Sequence, residues 1–130
     1  MEENYFVSFE PFARRHYIKS FEKKYRGAWD VTLRAITRQY ERIDMLLKTD
    51  LADVIVDNTD IQIIKTMFSV VKTKVSPKSS GNRCILVVDN EGKKVAVLLV
   101  YHKNHLGSGN ETVNWKKLIK ENYPEYSHLI

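Results

Sequence analysis

The chain has 130 residues, 43% hydrophobic and 28% charged, which is globular composition long enough for one core and too short for two; a single domain over 1–130 is expected. Twenty-one Lys and Arg against 16 Asp and Glu leave a net charge of +5, a mild excess that favours a polyanion without naming one. A lone cysteine, Cys84, excludes an internal disulfide framework and a cysteine-rich zinc site and fits a reducing compartment. The longest apolar run, 95–100, is far too short for a bilayer.

The acidic opening Met1-Glu2-Glu3 is unlike a secretory or transit leader, so a cytoplasmic protein that needs no membrane is expected. Asn4 to Phe9 alternates around aromatic and β-branched residues and predicts a first strand. Glu10-Pro11 marks a change of state, since proline suits the first turn of a helix. Phe12, Tyr17, Phe21 and Tyr25 then recur every four or five residues with Arg14, Arg15, Lys19, Lys23 and Lys24 between them, an amphipathic helix ending near Gly27. Trp29, Leu33, Ile36, Tyr40, Ile43 and Leu47 follow at spacings of 4, 3, 4, 3 and 4 and line one face of a second helix. Asp30 sits where a helix N-terminus favours negative charge. The two helices form a hairpin whose aromatic stripes are read as core.

After Asp50 the pattern turns to period two or continuous apolar. Short and long strands are predicted at Val54–Val56 and Ile61–Val71, separated by a turn at Asp57-Asn58-Thr59. A polar loop over Ser76 to Asn82 leads to a strand at Arg83–Asp89. The hairpin signal Asn90-Glu91-Gly92 precedes a last strand at Lys94–Lys103. A Gly-containing loop, Asn104 to Asn110, precedes a helix at Thr112–Tyr123 that Pro124 closes. Helices and strands are segregated, which predicts an α+β fold: an N-terminal strand, a helical hairpin on a largely antiparallel sheet, and a short C-terminal helix. Parity places Ile64, Phe68 and Val70 opposite Ile63, Lys65 and Met67. In the last strand it places Val95, Val97, Leu99 and Tyr101 opposite Ala96, Leu98, Val100 and His102. Both faces of the sheet are then apolar, and the second needs a cover, either the C-terminal helix or a partner protein.

From Ile61 to Val88 the chain has five basic residues, Lys65, Lys72, Lys74, Lys78 and Arg83, and no acid. Such a stretch attracts phosphates, although a solvated loop also suffices to explain the loop lysines. Lys65 interrupts an apolar strand, where an ammonium requires a partner, a wet groove or a ligand, or must snorkel from an edge. Further on, Tyr101, His102 and Lys103 supply a hydroxyl, a base titrating near neutrality and a cation. Alternation separates His102 from the other two unless a bulge intervenes. His16, His102, His105 and His128 lack metal-ligand spacing, and no nucleotide or nucleophile motif is present, so no cofactor or metal is expected.

Residues 63–68 (Ile-Ile-Lys-Thr-Met-Phe), the basic loop ending Ser80-Gly81-Asn82-Arg83, and residues 97–103 (Val-Leu-Leu-Val-Tyr-His-Lys) together resemble the RelE/ParE toxin superfamily. The order of elements resembles that family along nearly the whole chain. The resemblance implies the toxin of a toxin–antitoxin pair, neutralised by a cognate antitoxin. RelE-like members cleave messenger RNA without a metal, commonly on the ribosome, whereas ParE-like members inhibit DNA gyrase. It further implies Lys65, Arg83, Tyr101 and His102 as catalytic residues, with Arg83 gripping phosphate, His102 as acid, and Lys72, Lys74, Lys78 and Lys103 binding RNA. Two departures stand out. Some relatives pair a Glu with a His, but the acid-free stretch offers no Glu; and the long helices and the 108–130 tail exceed the compact toxin length, which leaves room for a non-catalytic member of the fold.

Overall fold

Strand β4 (Asn82–Asp89) runs from Cys84 to Val88 without a polar residue, and a strand apolar on both sides has to be covered on both sides. In the computed structural model, which describes residues 4–130, it lies at the centre of a five-stranded sheet ordered β1-β5-β4-β3-β2. The other strands are β1 (Phe6–Phe9), β2 (Ala52–Asn58), β3 (Ile61–Met67) and β5 (Lys94–His102). The acidic opening 1–3 lies outside the described residues. The fold is α+β, as expected, and β2 to β5 pair antiparallel while β1 joins the edge of β5 in parallel.

The first face is closed by the N-terminal helices. A continuous helical run comprises α1 (Pro11–Ala13), a π-helical stretch (Arg14–Ile18) and α2 (Lys19–Lys24); it is followed by α3 (Trp29–Glu41) and the short α4 (Ile43–Leu46). Trp29, Ile36, Tyr40 and Ile43 of the expected stripe are buried against Ile64, Cys84, Leu86, Val97 and Val100. The stripe is not one helix, however: Arg42 (φ −119°, ψ 50°) breaks it. Tyr40 Oη and Thr66 Oγ1 share a buried hydrogen bond of 2.6 Å, fixing α3 to β3. Thr32 Oγ1, which accepts from the Val71 amide at 2.9 Å, anchors the segment after β3 in the same way.

The strand expected to reach Val71 stops at Met67. There the chain leaves the sheet and inserts Phe68 and Val70 beneath the helices, with the Phe68 ring 5.8 Å from Phe21 and 6.0 Å from Trp29. The polar loop contains a one-turn helix, α5 (Pro77–Ser80), capped by the Ser76 hydroxyl and ended by Gly81 at φ +80°.

The second face is covered by the chain itself. Helix α6 (Glu111–Asn122) and a 3-10 turn (Pro124–Leu129) bury Trp115, Ile119 and Tyr123 against Ile63, Ile85, Leu98 and Leu99. Strict alternation in β5 fails. A bulge between the Ile85–Leu99 and Leu86–Val97 pairs leaves Leu98 without a cross-strand partner, so Leu98 and Leu99 both pack on the second face while Val97 and Val100 pack on the first. Tyr123 Oη donates to the Leu98 carbonyl at 2.8 Å, satisfying a buried acceptor at the bulge.

Candidate functional site

Directly paired residues share a face, and the register places Met67, Arg83 and Tyr101 in one row across β3, β4 and β5, with Lys65, Ile85 and Leu99 in the row beside it. Lys65, Arg83 and Tyr101 therefore meet on the second face. The bulge makes this possible. By realigning β5 it places Tyr101 with Leu98 rather than Val97.

A residue outside the basic stretch completes the group. Glu111, at the first turn of α6, receives the Tyr101 hydroxyl on Oε2 at 2.7 Å and the Lys65 ammonium on the same oxygen at 3.0 Å. Partial burial opposes ionisation of Glu111. The hydrogen bonds from Tyr101 and Lys65, with the charges of Lys65 and Arg83, outweigh that and hold the carboxyl below its ordinary value. Burial first, and then the Glu111 carboxylate, push the Tyr101 phenol far up, so it stays a donor. The ammonium that interrupts an apolar strand thus has its partner. Glu111 went unseen in the sequence because the partner is distant in the chain and the helix was expected from Thr112; the Asn110 cap, whose side chain accepts from the Val113 amide, was the available signal.

Arg83 is 7% exposed. Its Nη1 donates to the carbonyls of Pro77 (3.3 Å) and Asn82 (3.0 Å), and its Nη2 to that of Lys78 (3.1 Å). Two of these bonds hold the α5 turn against the sheet and the third returns to the start of β4, so Arg83 is a fixed charge beside Glu111 rather than the open phosphate grip expected of it.

His102 does not join this cluster. The bulge lies upstream of Tyr101, so alternation resumes and His102 faces the first side, paired across the ladder with Asn82. Its Nδ1 accepts the Asn104 amide at 3.1 Å, and its ring occupies the space a Cβ on Gly81 would need, 2.6 Å from Nε2. Lys103 follows in an exposed 3-10 turn (Lys103–His105). Lys72 and Lys74 are exposed, and Lys78 pairs with Asp50 at 3.1 Å in an open ion pair of little energetic weight. The stretch that is free of acids in sequence is not free of them in space. Among the described residues no group of three or more His, Cys, Asp or Glu could hold a metal, and no helix is long and apolar enough to cross a membrane.

No family model matches the chain, and no curated protein matches it in sequence. Among solved structures it is similar to a chain of the archaeal RelE–RelB complex from Pyrococcus horikoshii OT3, with a TM-score of 0.54 and 12% identity, over 78% of this chain and 98% of that one. The fold is RelE-like.

Proposed function

We propose that this protein is the toxin of a toxin–antitoxin pair and cleaves messenger RNA without a metal, on the ribosome or free. The RelE-like fold supports the class. The observation that carries the chemistry is the convergence of Lys65 and Tyr101 on one carboxylate oxygen of Glu111, beside the fixed charge of Arg83.

Cleavage of RNA through its own 2′-hydroxyl needs a base for that hydroxyl, positive charge around a crowded phosphate, and a proton for the departing 5′ oxygen. Glu111, held ionised, is the base. A phosphate entering the site competes for the Lys65 ammonium, which then turns from Glu111 to the phosphate oxygens and is placed to protonate the leaving group. Tyr101 keeps its proton and orients the carboxylate. Acid–base transfer of this kind supplies on the order of a hundred- to ten-thousand-fold, with electrostatic stabilisation on top. Lys72, Lys74, Lys78 and Lys103 steer the RNA backbone. His102, on the other side of the sheet, has no part in this step.

Induced expression in a bacterial host tests this, with growth followed and RNA ends mapped. Wild type should arrest growth and cut messages, Glu111→Gln and Lys65→Ala should do neither, and co-expression of the cognate antitoxin should restore growth. Arrest with intact messages would overturn it. A gyrase-directed toxin would use the apolar second face of the sheet as its docking surface, and α6 packs on that face. A non-catalytic RNA-binding module is favoured by the closed Lys65–Glu111 pair and the carbonyl-bound Arg83; RNA binding by wild type without cleavage would select it.

A further inference from the structure

Glu111 is not the only carboxylate beside Lys65. In the β2–β3 ladder Asp53 is the direct partner of Lys65, and directly paired residues share a face with their Cβ atoms about 4.5–5.5 Å apart. The preceding pair, Ala52 and Thr66, lies on the first face, where Thr66 bonds Tyr40. Asp53 therefore stands on the second face, at the outer end of the row Asp53, Lys65, Ile85 and Leu99.

Lys65 is thus flanked by two acids. Towards the centre of the sheet its Nζ reaches Glu111 Oε2 at 3.0 Å. Towards the edge lies Asp53, exposed on a strand that ends the sheet; among the described residues it makes no ion pair. The flexible four-carbon stem of a lysine serves either carboxylate without any shift of the backbone. The two contacts differ in strength. Glu111 is partly buried and also held by Tyr101, whereas an ion pair at an open edge is worth little. Glu111 is the resting partner and Asp53 the minor one.

We propose that Asp53 is a positioning residue that takes the Lys65 ammonium when it leaves Glu111 and so uncovers Glu111 for the substrate. The role rests on the reading of Glu111 as base and of Lys65 as the group that meets the phosphate. In the closed pair, Lys65 occupies the oxygen that Tyr101 also holds, the one nearest both groups. Turned to Asp53, the ammonium leaves that oxygen to Tyr101 alone and stays on the face where a phosphate enters. A protein that binds only from a minor state loses affinity in proportion to that state's population. Asp53 raises the population.

Two measurements on the full chain test this. The first needs no RNA: a crystal structure of Glu111→Gln should show Lys65 Nζ within about 4 Å of an Asp53 carboxylate oxygen. The second is the affinity for a single-stranded RNA in a cycle of variants. Asp53→Asn removes an acid beside a polyanion site, which by charge alone tightens binding. In Glu111→Gln no closed pair remains, so only that tightening should be seen. With Glu111 present, loss of the open position opposes it. The effect of Asp53→Asn on affinity should then be about two- to fivefold less favourable than in the Glu111→Gln background, the range that an exposed ion pair supports. Asp53→Glu should erase the difference. Lys65 still turned away from Asp53 in Glu111→Gln, or equal effects of Asp53→Asn in both backgrounds, overturns the proposal. A chain that binds no RNA would sink the nuclease reading, and the crystal structure would still decide whether Asp53 receives Lys65.

Discussion

Lys65 and Tyr101 reach the same oxygen of Glu111, and that shared contact makes the carboxylate a structural partner as well as the proposed base. The Lys65 and Glu111 side chains are 19% and 24% exposed, so removing one charge strands the other in a place water only partly reaches. Glu111→Gln should cost about 1–2 kcal/mol, below the range for fully buried pairs. Gln still accepts from Tyr101, so adding Lys65→Met should recover most of that loss; denaturant midpoints of the three variants measure it, and a double variant no more stable than Glu111→Gln would contradict the account. Acidification should act in two stages. Burial and then the neighbouring His105 lower His102 below its ordinary 6.5, so the unfolded chain takes up that proton first and stability falls as pH drops below 6.5. Glu111 lies below its ordinary 4.5, so its contribution is complete above 4.5 and is lost as pH falls further, through its folded value. Thermal midpoints across this range should lose the upper stage in His102→Gln and the lower one in Glu111→Gln.

At the scale of elements, the bulge in β5 decides which side chains meet. It puts Tyr101 in register with Arg83, and the Tyr123 hydroxyl of the C-terminal segment supplies the hydrogen bond at its Leu98 carbonyl. Tyr123→Phe removes a donor from a buried acceptor and should cost about 1–3 kcal/mol with little change in shape; the thermal midpoint reads this, and a cost near zero would mean water replaces the hydroxyl. None of this was legible in residues 95–100, because every residue there is apolar and alternation cannot tell one face from the other. The aromatic stripe from Trp29 was legible because helical spacing is a local property. Its interruption at Arg42 was not, since no Gly or Pro marks it. The split of β3 after Met67 was hidden for a similar reason: Phe68 and Val70 look like strand residues whether they continue the ladder or fill the space beneath α2.

For the molecule as a whole, composition and segregated patterns were enough for an α+β fold with a two-sided sheet, whereas the meeting of Lys65, Arg83 and Tyr101 on one face depends on the β5 bulge. They were not enough for contacts between distant segments: β1 beside β5, Glu111 on Lys65, Asp50 on Lys78. The same distinction governs how the net charge of +5 should act on RNA. Among the described residues, Lys72, Lys74 and Lys103 are exposed cations with no ion pair, whereas Lys78 has Asp50. On a single strand each neutralised phosphate steepens the salt dependence of log K by about 0.7. Replacing Lys72, Lys74 and Lys103 together by Ala should therefore flatten the slope by about 2 if all three meet phosphates. Lys78→Ala alone should change it least, because Asp50 already offsets that charge. Asp50→Asn should do the opposite, freeing Lys78 and steepening the slope by up to about 0.7. Affinity for a single-stranded RNA measured from low to moderate salt gives all three slopes. Equal effects of Lys78→Ala and of each free lysine would show that sequence charge alone, and not its pairing in the fold, sets the attraction.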